Sequence, residues 1–302
     1  MVEARYSLAL FRRLTKNMLI QYQHFGRFDE HLAGFYSLAY GNPYIYKDTY
    51  LVYYDKYSRI LYLSLFELHE SENKLKCIRT AMKLFKPEKL IVTSPQELPL
   101  NIGEFHCAKG DYDKDYQIYV PDFDETLKGR KLKQLRYRVH NAEKRGYRLE
   151  IGKKMTPAHF HIIAQHEQLK RLDLYDSQLY LSIWEYLQKF KSPLLFNVFS
   201  NGTFIGFDLV DFFQDTMTIP LGFYTDAPSL ADFIVFKEIL YAKQREYTWL
   251  DLGWACDSGI EEFKKKWTAI PRFQIWAYEY MKDNNSDEAR FRKETAIVCH
   301  GN

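Results

Sequence analysis

A chain of 302 residues suits two domains or one large one, and either leaves enough polypeptide to bury a substantial core. Hydrophobic residues make up 46% and charged residues 27%, which excludes the disordered, collagenous and coiled-coil classes. Net charge is only +3, yet Lys128–Arg148 (KGRKLKQLRYRVHNAEKRGYR) sets nine Lys/Arg against the single acid Glu143, +8 in all, so the remainder carries −5. One concentrated basic strip on a mildly acidic body points to a local anionic contact.

Tyr, Phe and Trp together reach 17%, side chains that suit concave ligand sites as well as cores. No apolar run approaches the roughly 20 residues a membrane span needs, and the charges scattered through MVEARYSLALFRRLTK do not follow the order of a secretion signal, so a cytoplasmic protein is expected. Cys77, Cys107, Cys256 and Cys299 lie far apart with no CxxC pair, which predicts reduced thiols and no zinc site.

In chain order, residues 7–40 read as helical with interruptions at Gly26 and Gly34. Tyr50–Tyr54 and Ile60–Phe66 are rich in β-formers around the polar turn Asp55–Arg59, a hairpin. A helix from about Ser71 to Phe85 carries Leu75, Ile78, Met82 and Phe85 on one stripe and is closed by Pro87, before a short buried strand at Lys89–Thr93. Residues 94–124, with their Pro, Gly and Asp, read as irregular apart from a strand at Tyr116–Val120. Within the basic strip Leu132, Leu135, Val139 and Ala142 recur at helical spacing and Gly146 stops the helix. Two helices follow, Pro157–Leu172, with Phe160, Ile163, Ala164 and Leu169 inward, and Gln178–Phe190. The pattern then changes to period two in Leu194–Phe199, Phe204–Phe213 and Thr216–Tyr224, an antiparallel meander. A long helix (Pro228–Glu246), a strand (Trp249–Leu252), a short helix (Ser258–Trp267) and a strand (Phe273–Tyr280) complete the chain before a polar tail. Both halves thus share the order hairpin, helix, strand.

At Trp249–Trp267 (WLDLGWACDSGIEEFKKKW), a strand, Asp-Leu-Gly, a loop with Gly259-Ile260 and then Phe263-Lys264 resemble the "DLG…GL..FK..F/W" segment of tandem GNAT-fold aminoacyltransferases. Two branches share that segment, the Fem-type peptidoglycan enzymes and the catalytic domain of lysylphosphatidylglycerol synthases. The basic strip is similar to the linker helix of the second branch, as Tyr36–Phe66 is to its N-terminal half. The resemblance implies an α+β fold of two GNAT-like lobes, each a mixed, mainly antiparallel sheet flanked by helices. On this chain it sets an N-terminal lobe at 1–125, a basic linker helix at 126–148 and a catalytic lobe at 149–302. It also implies a cleft between two splayed strands, here Thr216–Tyr224 and Trp249–Leu252, where an amine attacks an acyl carbonyl. Such a site must hold both reactants, take a proton and stabilise an oxyanion.

Ordinary GNAT acetyltransferases hold the coenzyme A pyrophosphate on a Q/RxxGxG/A turn opening the long helix. The equivalent Tyr224-Thr225-Asp226-Ala227-Pro228-Ser229 has no glycine and adds a carboxylate and a proline, which argues against coenzyme A. Lys264 matches the family's FK lysine and is a candidate for the oxyanion, although the run Lys264–Lys266 as a set also reads as solvated and surface-accessible. Asp251, at a strand end among Trp249, Leu250 and Leu252, is either a proton acceptor or a structural partner. Asp208 and Asp211 point to opposite faces of their strand, with Asp208 the better candidate for the cleft, and Tyr224 can protonate a leaving group or simply fill a rim. Ser229, Gly253, Arg272 and Lys265 make up the donor-binding set. Arg130, Lys133, Arg136, Arg138, Lys144 and Arg145 form the anion- or nucleic-acid-binding set, for tRNA or anionic lipid. His159, His161 and His166 do not make an HExxH pattern, so no metal is expected, and Cys256 has no basic neighbour in sequence to mark it as a nucleophile.

The expected activity is transfer of an aminoacyl group from aminoacyl-tRNA to an amine or hydroxyl of a small molecule or lipid, with no tightly bound cofactor. A coenzyme A-dependent N-acyltransferase with acyl-CoA as donor, and a non-catalytic GNAT-like module binding RNA or protein, stand as alternatives.

Overall fold

The computed structural model describes residues 10–27, 29–68, 72–170 and 174–282. The first half supplies β1 (Phe11–Arg13), β2 (Asn42–Tyr46), β3 (Tyr50–Asp55), β4 (Ile60–Ser64), β5 (Lys89–Ser94), β6 (Asn101–Ile102) and the long β7 (Phe105–Tyr119). The second supplies β8 (Tyr147–Gly152), β9 (Leu194–Ser200), β10 (Thr203–Phe212), β11 (Thr216–Tyr224), β12 (Trp249–Trp254) and β13 (Ile270–Lys282). The helices are α1 (Lys16–His24), α2 (Ala33–Tyr40), α3 (Lys74–Phe85), α4 (Lys133–Lys144), α5 (Pro157–Lys170), α6 (Leu174–Lys189), α7 (Leu230–Gln244) and α8 (Ser258–Lys266), with a 3₁₀ turn at Asp29–His31. Among the described residues no helix is long and apolar enough to cross a membrane.

The strands form one path, β1-β2-β3-β4-β5-β13-β7-β12-β11-β10-β9-β8, with β6 on the edge of β7. Its two halves repeat a unit of three antiparallel strands, a crossover helix and a parallel strand: β2-β3-β4-α3-β5 and β9-β10-β11-α7-β12. The hairpin β3–β4 therefore corresponds to β10–β11. At the centre the halves exchange strands. β13, from the end of the chain, pairs with β5, while β7, from the first half, pairs with β12, and the two run antiparallel to each other from Ile270 opposite Gln117 to Lys282 opposite Phe105. This exchange builds a surface from both halves at the middle of the sheet.

Apolar residues fill three clusters. One lies between the sheet and α1, α2, α5 and α6, a second under α4 and α7, and a third under α3. In α4 the predicted stripe faces inward through Leu135, Val139 and Ala142 while the cations stay outside. Asn73 and Asp257 cap their helices, each accepting a backbone N–H at 2.8 Å.

Several local readings change. Residues 94–124 are not mainly irregular: β7 is the longest strand, because pairing with both β12 and β13 satisfies a backbone whose Gly110, Asp111 and Asp113 read as loop. Phe11–Arg13 and Tyr147–Gly152 are edge strands, the first inside a stretch read as helix. Gly34 lies within α2 and does not interrupt it; a Cβ there would come within 2.7 Å of the Phe190 ring, so the glycine permits α2 to lie against α6. On α5 Phe160 is 41% exposed and Ala164 is exposed, and the buried face is His159, Ile162 and Ile163.

Candidate active site

β11 and β12 pair only over Thr216–Thr218 and Trp249–Asp251 and then part. Gly253, left-handed at φ +71°, accompanies a register shift of β12 against β7 between Asp251 and Trp254. This bend presents two carbonyls to α8. Lys264 Nζ donates to Gly253 O at 2.8 Å and also to Trp254 O. Asp113 of β7 fastens the following turn by accepting the Cys256 N–H at 2.7 Å and the Ala255 N–H at 3.3 Å.

Lys264 is accordingly buried, at 6% exposure, and the expectation of a surface-accessible lysine is corrected. Three consecutive lysines after an acidic pair suggest a solvated run, but the carbonyls exposed by the bend offer the first of them partners inside. Burial pushes the Lys264 ammonium down from its ordinary value, and Asp115, Cys256, Asp251 and Asp113 pull it back up. These two carbonyls engage two of its three donors.

Carboxyl groups from both halves surround this ammonium. Asp251 Oδ1 accepts from Gly253 N at 2.8 Å and its Oδ2 from Thr218 Oγ1 at 3.4 Å. Asp115 accepts from Gln117 Nε2 at 3.0 Å, and Gln117 Oε1 accepts from Arg272 Nη1 at 3.0 Å. The Arg272 guanidinium itself stacks 3.8 Å from the Trp249 ring centroid. From the 3₁₀ turn, Asp29 accepts from Tyr36 OH at 2.9 Å and Glu30 from Trp254 Nε1 at 2.8 Å. Burial raises all four acids. Asp115 is pushed well above the carboxylate range by burial and by Asp251, Asp251 is raised by burial, and burial with a neighbouring carboxylate brings Asp29 to about 7 and Glu30 to about 8. His31 holds the turn in place: its Nδ1 accepts from Arg27 N at 3.1 Å and its Nε2 lies 3.3 Å from Phe66 O, with burial pushing it down to about 4.

These values set the pH dependence of stability. Between the ordinary carboxylate range near pH 4 and the raised values of Asp29 and Glu30, the unfolded chain has released protons that the folded chain keeps. The stability they contribute is complete below pH 4 and is lost as pH rises through about 7 and 8. His31 acts oppositely, its contribution being lost as pH falls from about 6.5 toward 4. Thermal denaturation from pH 5 to 8 is expected to show a falling Tm, with a shallower fall for Glu30→Gln. A Tm that rises across this range would contradict the buried-acid assignment.

The predicted catalytic residues do not meet at one point. Lys264 and Asp251 share the gap, whereas Tyr224 OH donates to Asp208 on the opposite face of the sheet, where Glu238 of α7 lies beside them. Asp211, on the other face from Asp208, accepts from Tyr186 of α6. Ser229 precedes α7 in a left-handed conformation, φ +64°, and makes no side-chain cap. Lys265 forms ion pairs with Glu261 at 3.0 Å and Glu262 at 3.5 Å on its own helix. Arg138 is paired at 3.0 Å with the buried Asp232, and Arg136 donates to the Leu127 carbonyl. Arg130, Lys133, Lys144 and Arg145 are exposed beside them. His159 is 2.8 Å from Asn197 Oδ1, His161 is 3.0 Å from Gln165, and the His166 side chain and Cys299 lie outside the described residues. Sequence reasoning missed Asp29, Glu30, Asp115 and Trp254. An adjacent Asp-Glu pair before the apolar HLAGFY stretch was the available signal for the first two.

Compared by sequence with curated proteins, the chain matches none. Its fold is similar to that of L-PGS from Bacillus licheniformis (15% identity, TM-score 0.59, 96% of this chain and 99% of that one). It is also similar to FemX (12%, 0.57, 94% and 99%) and to a tandem GNAT protein from the clavulanic acid biosynthesis pathway (10%, 0.56, 92% and 99%). At these identities the likeness shows the fold, that of tandem GNAT-like lobes. The family model for phosphatidylglycerol lysyltransferase, C-terminal, matches residues 26–282, and the chain belongs to that family, among the acyl- and aminoacyltransferases.

Proposed function

We propose that this protein moves an aminoacyl group from aminoacyl-tRNA to an amine or hydroxyl of a small molecule or lipid. The observation that carries this reading is the set of Asp29, Glu30, Asp115 and Asp251 around the single ammonium of Lys264 at the splayed strands. Every aminoacyl ester brings an α-ammonium that such a site receives. The acetyl group of acetyl-CoA brings no charge and gives these raised carboxyls no cation to ionise against. The turn opening α7 supports the same donor, since Tyr224–Ser229 has no glycine and Pro228 offers no N–H to a pyrophosphate. In the reaction the acceptor attacks the ester carbonyl, the developing oxyanion takes the remaining Lys264 N–H, and a carboxylate receives the acceptor's proton. The exposed cations of α4, beside an open groove of about 540 Å³ that Lys133, Arg136 and His140 help to line, are the surface for the tRNA backbone. Charged tRNA places the reaction in the cytoplasm, with an anionic membrane surface as another partner for the same strip.

Filter binding of charged and uncharged tRNA across a salt series tests the donor. Arg130→Gln with Lys133→Gln is expected to lower the log–log salt slope by roughly one to two units, at about 0.7–0.9 per lost phosphate contact. These two residues are chosen because Arg136 and Arg138 are engaged within the protein. An unchanged slope together with saturable micromolar binding of acetyl-CoA would replace the tRNA donor by coenzyme A.

A further inference from the structure

Beside Glu30 and Trp254 lies a cavity of about 130 Å³ whose far side is built by β3, β4 and β5 of the first half. The rings of Tyr36, Tyr40, Tyr62 and Trp254 wall it, with Tyr40 and Tyr62 stacked at 4.2 Å between centroids. Tyr53 OH and Ser64 Oγ are buried there, the residues being 2% and 7% exposed, and neither atom has a hydrogen-bond partner among the described residues. A buried hydroxyl without a partner is costly and is relieved by a ligand that bonds to it. Glu30, 6% exposed, adds a carboxyl, and none of the described residues lining the cavity is cationic.

We propose that this cavity receives the acceptor as a short primary amine, its nitrogen held among Glu30, Tyr53 OH and Ser64 Oγ. The inference rests on the aminoacyl-transfer reading and narrows its acceptor. Aromatic faces and a carboxyl attract an ammonium, whereas a phosphate would meet a carboxyl and no cation. A purely apolar group would leave both hydroxyls unpaired. The volume is close to the roughly 150 Å³ that accommodates benzene, so it admits an amine of a few carbons.

The position also favours an acceptor over the side chain of the transferred amino acid. An attacking amine must first lose a proton, and an ammonium seated against the raised Glu30 and Asp29 carboxyls favours the ionised form that can take it. The ammonium gives one proton to the Glu30 carboxylate, and the free amine attacks the ester carbonyl. The C–N bond forms, the C–O bond to the ribose breaks, and a second nitrogen proton passes to the leaving oxygen. The products are an amide and a free tRNA hydroxyl, and Glu30 returns its proton to water.

Calorimetric titration of the protein with n-propylamine, 1,3-propanediol and glycerol 3-phosphate, without tRNA, reads the cavity directly. Propylamine alone is expected to bind, and Tyr53→Phe or Ser64→Ala is expected to weaken it about tenfold while leaving the Tm of the free protein unchanged or raised. A purely structural role for these hydroxyls would lower Tm instead. With charged tRNA added, mass spectrometry should find the aminoacyl propylamide. Amine binding that a cationic amino acid ester displaces, with no amide formed, would reassign the cavity to the donor's side chain and overturn the proposal. Absence of amine binding, with charged tRNA still binding, would overturn the amine acceptor and leave aminoacyl transfer standing. Amine binding without binding of charged tRNA would support the ligand class while removing the tRNA donor.

Discussion

Lys264→Met is expected to lower kcat for aminoacyl transfer about a hundredfold to a thousandfold while KM changes within about threefold. Methionine preserves the length and apolar stem of the side chain but offers no donor to an oxyanion. The lysine's ammonium is already fixed by the Gly253 and Trp254 carbonyls, so its remaining N–H needs little reorganisation when charge develops. The same change leaves two inward-facing carbonyls without their partner, and a stability loss of about 1–3 kcal/mol is expected in urea denaturation. Measuring both separates the roles. A destabilised enzyme with kcat within about threefold of wild type would make Lys264 a structural tie and nothing more.

The largest effect on stability is expected at Asp232, which no feature of the sequence marks. Its buried carboxylate accepts from Trp267 Nε1 at 3.1 Å, pairs with Lys266 at 2.6 Å and pairs with Arg138 at 3.0 Å. It therefore joins α7, α8 and the basic helix α4. Asp232→Ala is expected to cost about 2–4 kcal/mol, below the upper end for breaking a buried ion pair because Arg138 and Lys266 keep access to water. Asp232→Asn, which retains a hydrogen-bonding oxygen for Trp267, should lose less. Equilibrium urea unfolding of the two variants checks this order, and a loss under about 1 kcal/mol for alanine would show that water already screens both pairs. Since α8 carries Lys264, the alanine variant is also expected to lose activity beyond its loss of folded protein.

The elements with strong local periodicity are readable from the residues. α3 and α4 appear where their apolar stripes predict them, and the β3–β4 hairpin closes on Asp55, which accepts the Tyr57 N–H at 2.9 Å. These features depend on contacts a few positions apart, which spacing and turn chemistry encode directly. The motif around Asp-Leu-Gly and Phe-Lys likewise marks the segment that builds half of the candidate site.

The other half depends on the strand exchange, and no local pattern reports it. β7 is long because β12 and β13 both hydrogen-bond to it, and that pairing carries Asp113 and Asp115 to the turn that holds Lys264. Tyr224 and Asp208 look like cleft residues along their strands, but side-chain alternation sends them to the face opposite Asp251. Lys264 is buried only because a left-handed Gly253 exposes carbonyls that a solvated reading could not anticipate. By itself the sequence determined the locally periodic elements and the basic face of α4, and its resemblance to a family pointed to the strands that part. Tertiary structure decided which charges meet: pairing between strands far apart in the chain brought Asp29, Glu30, Asp115 and Asp251 together, where desolvation raises acids that would titrate in the ordinary range in water.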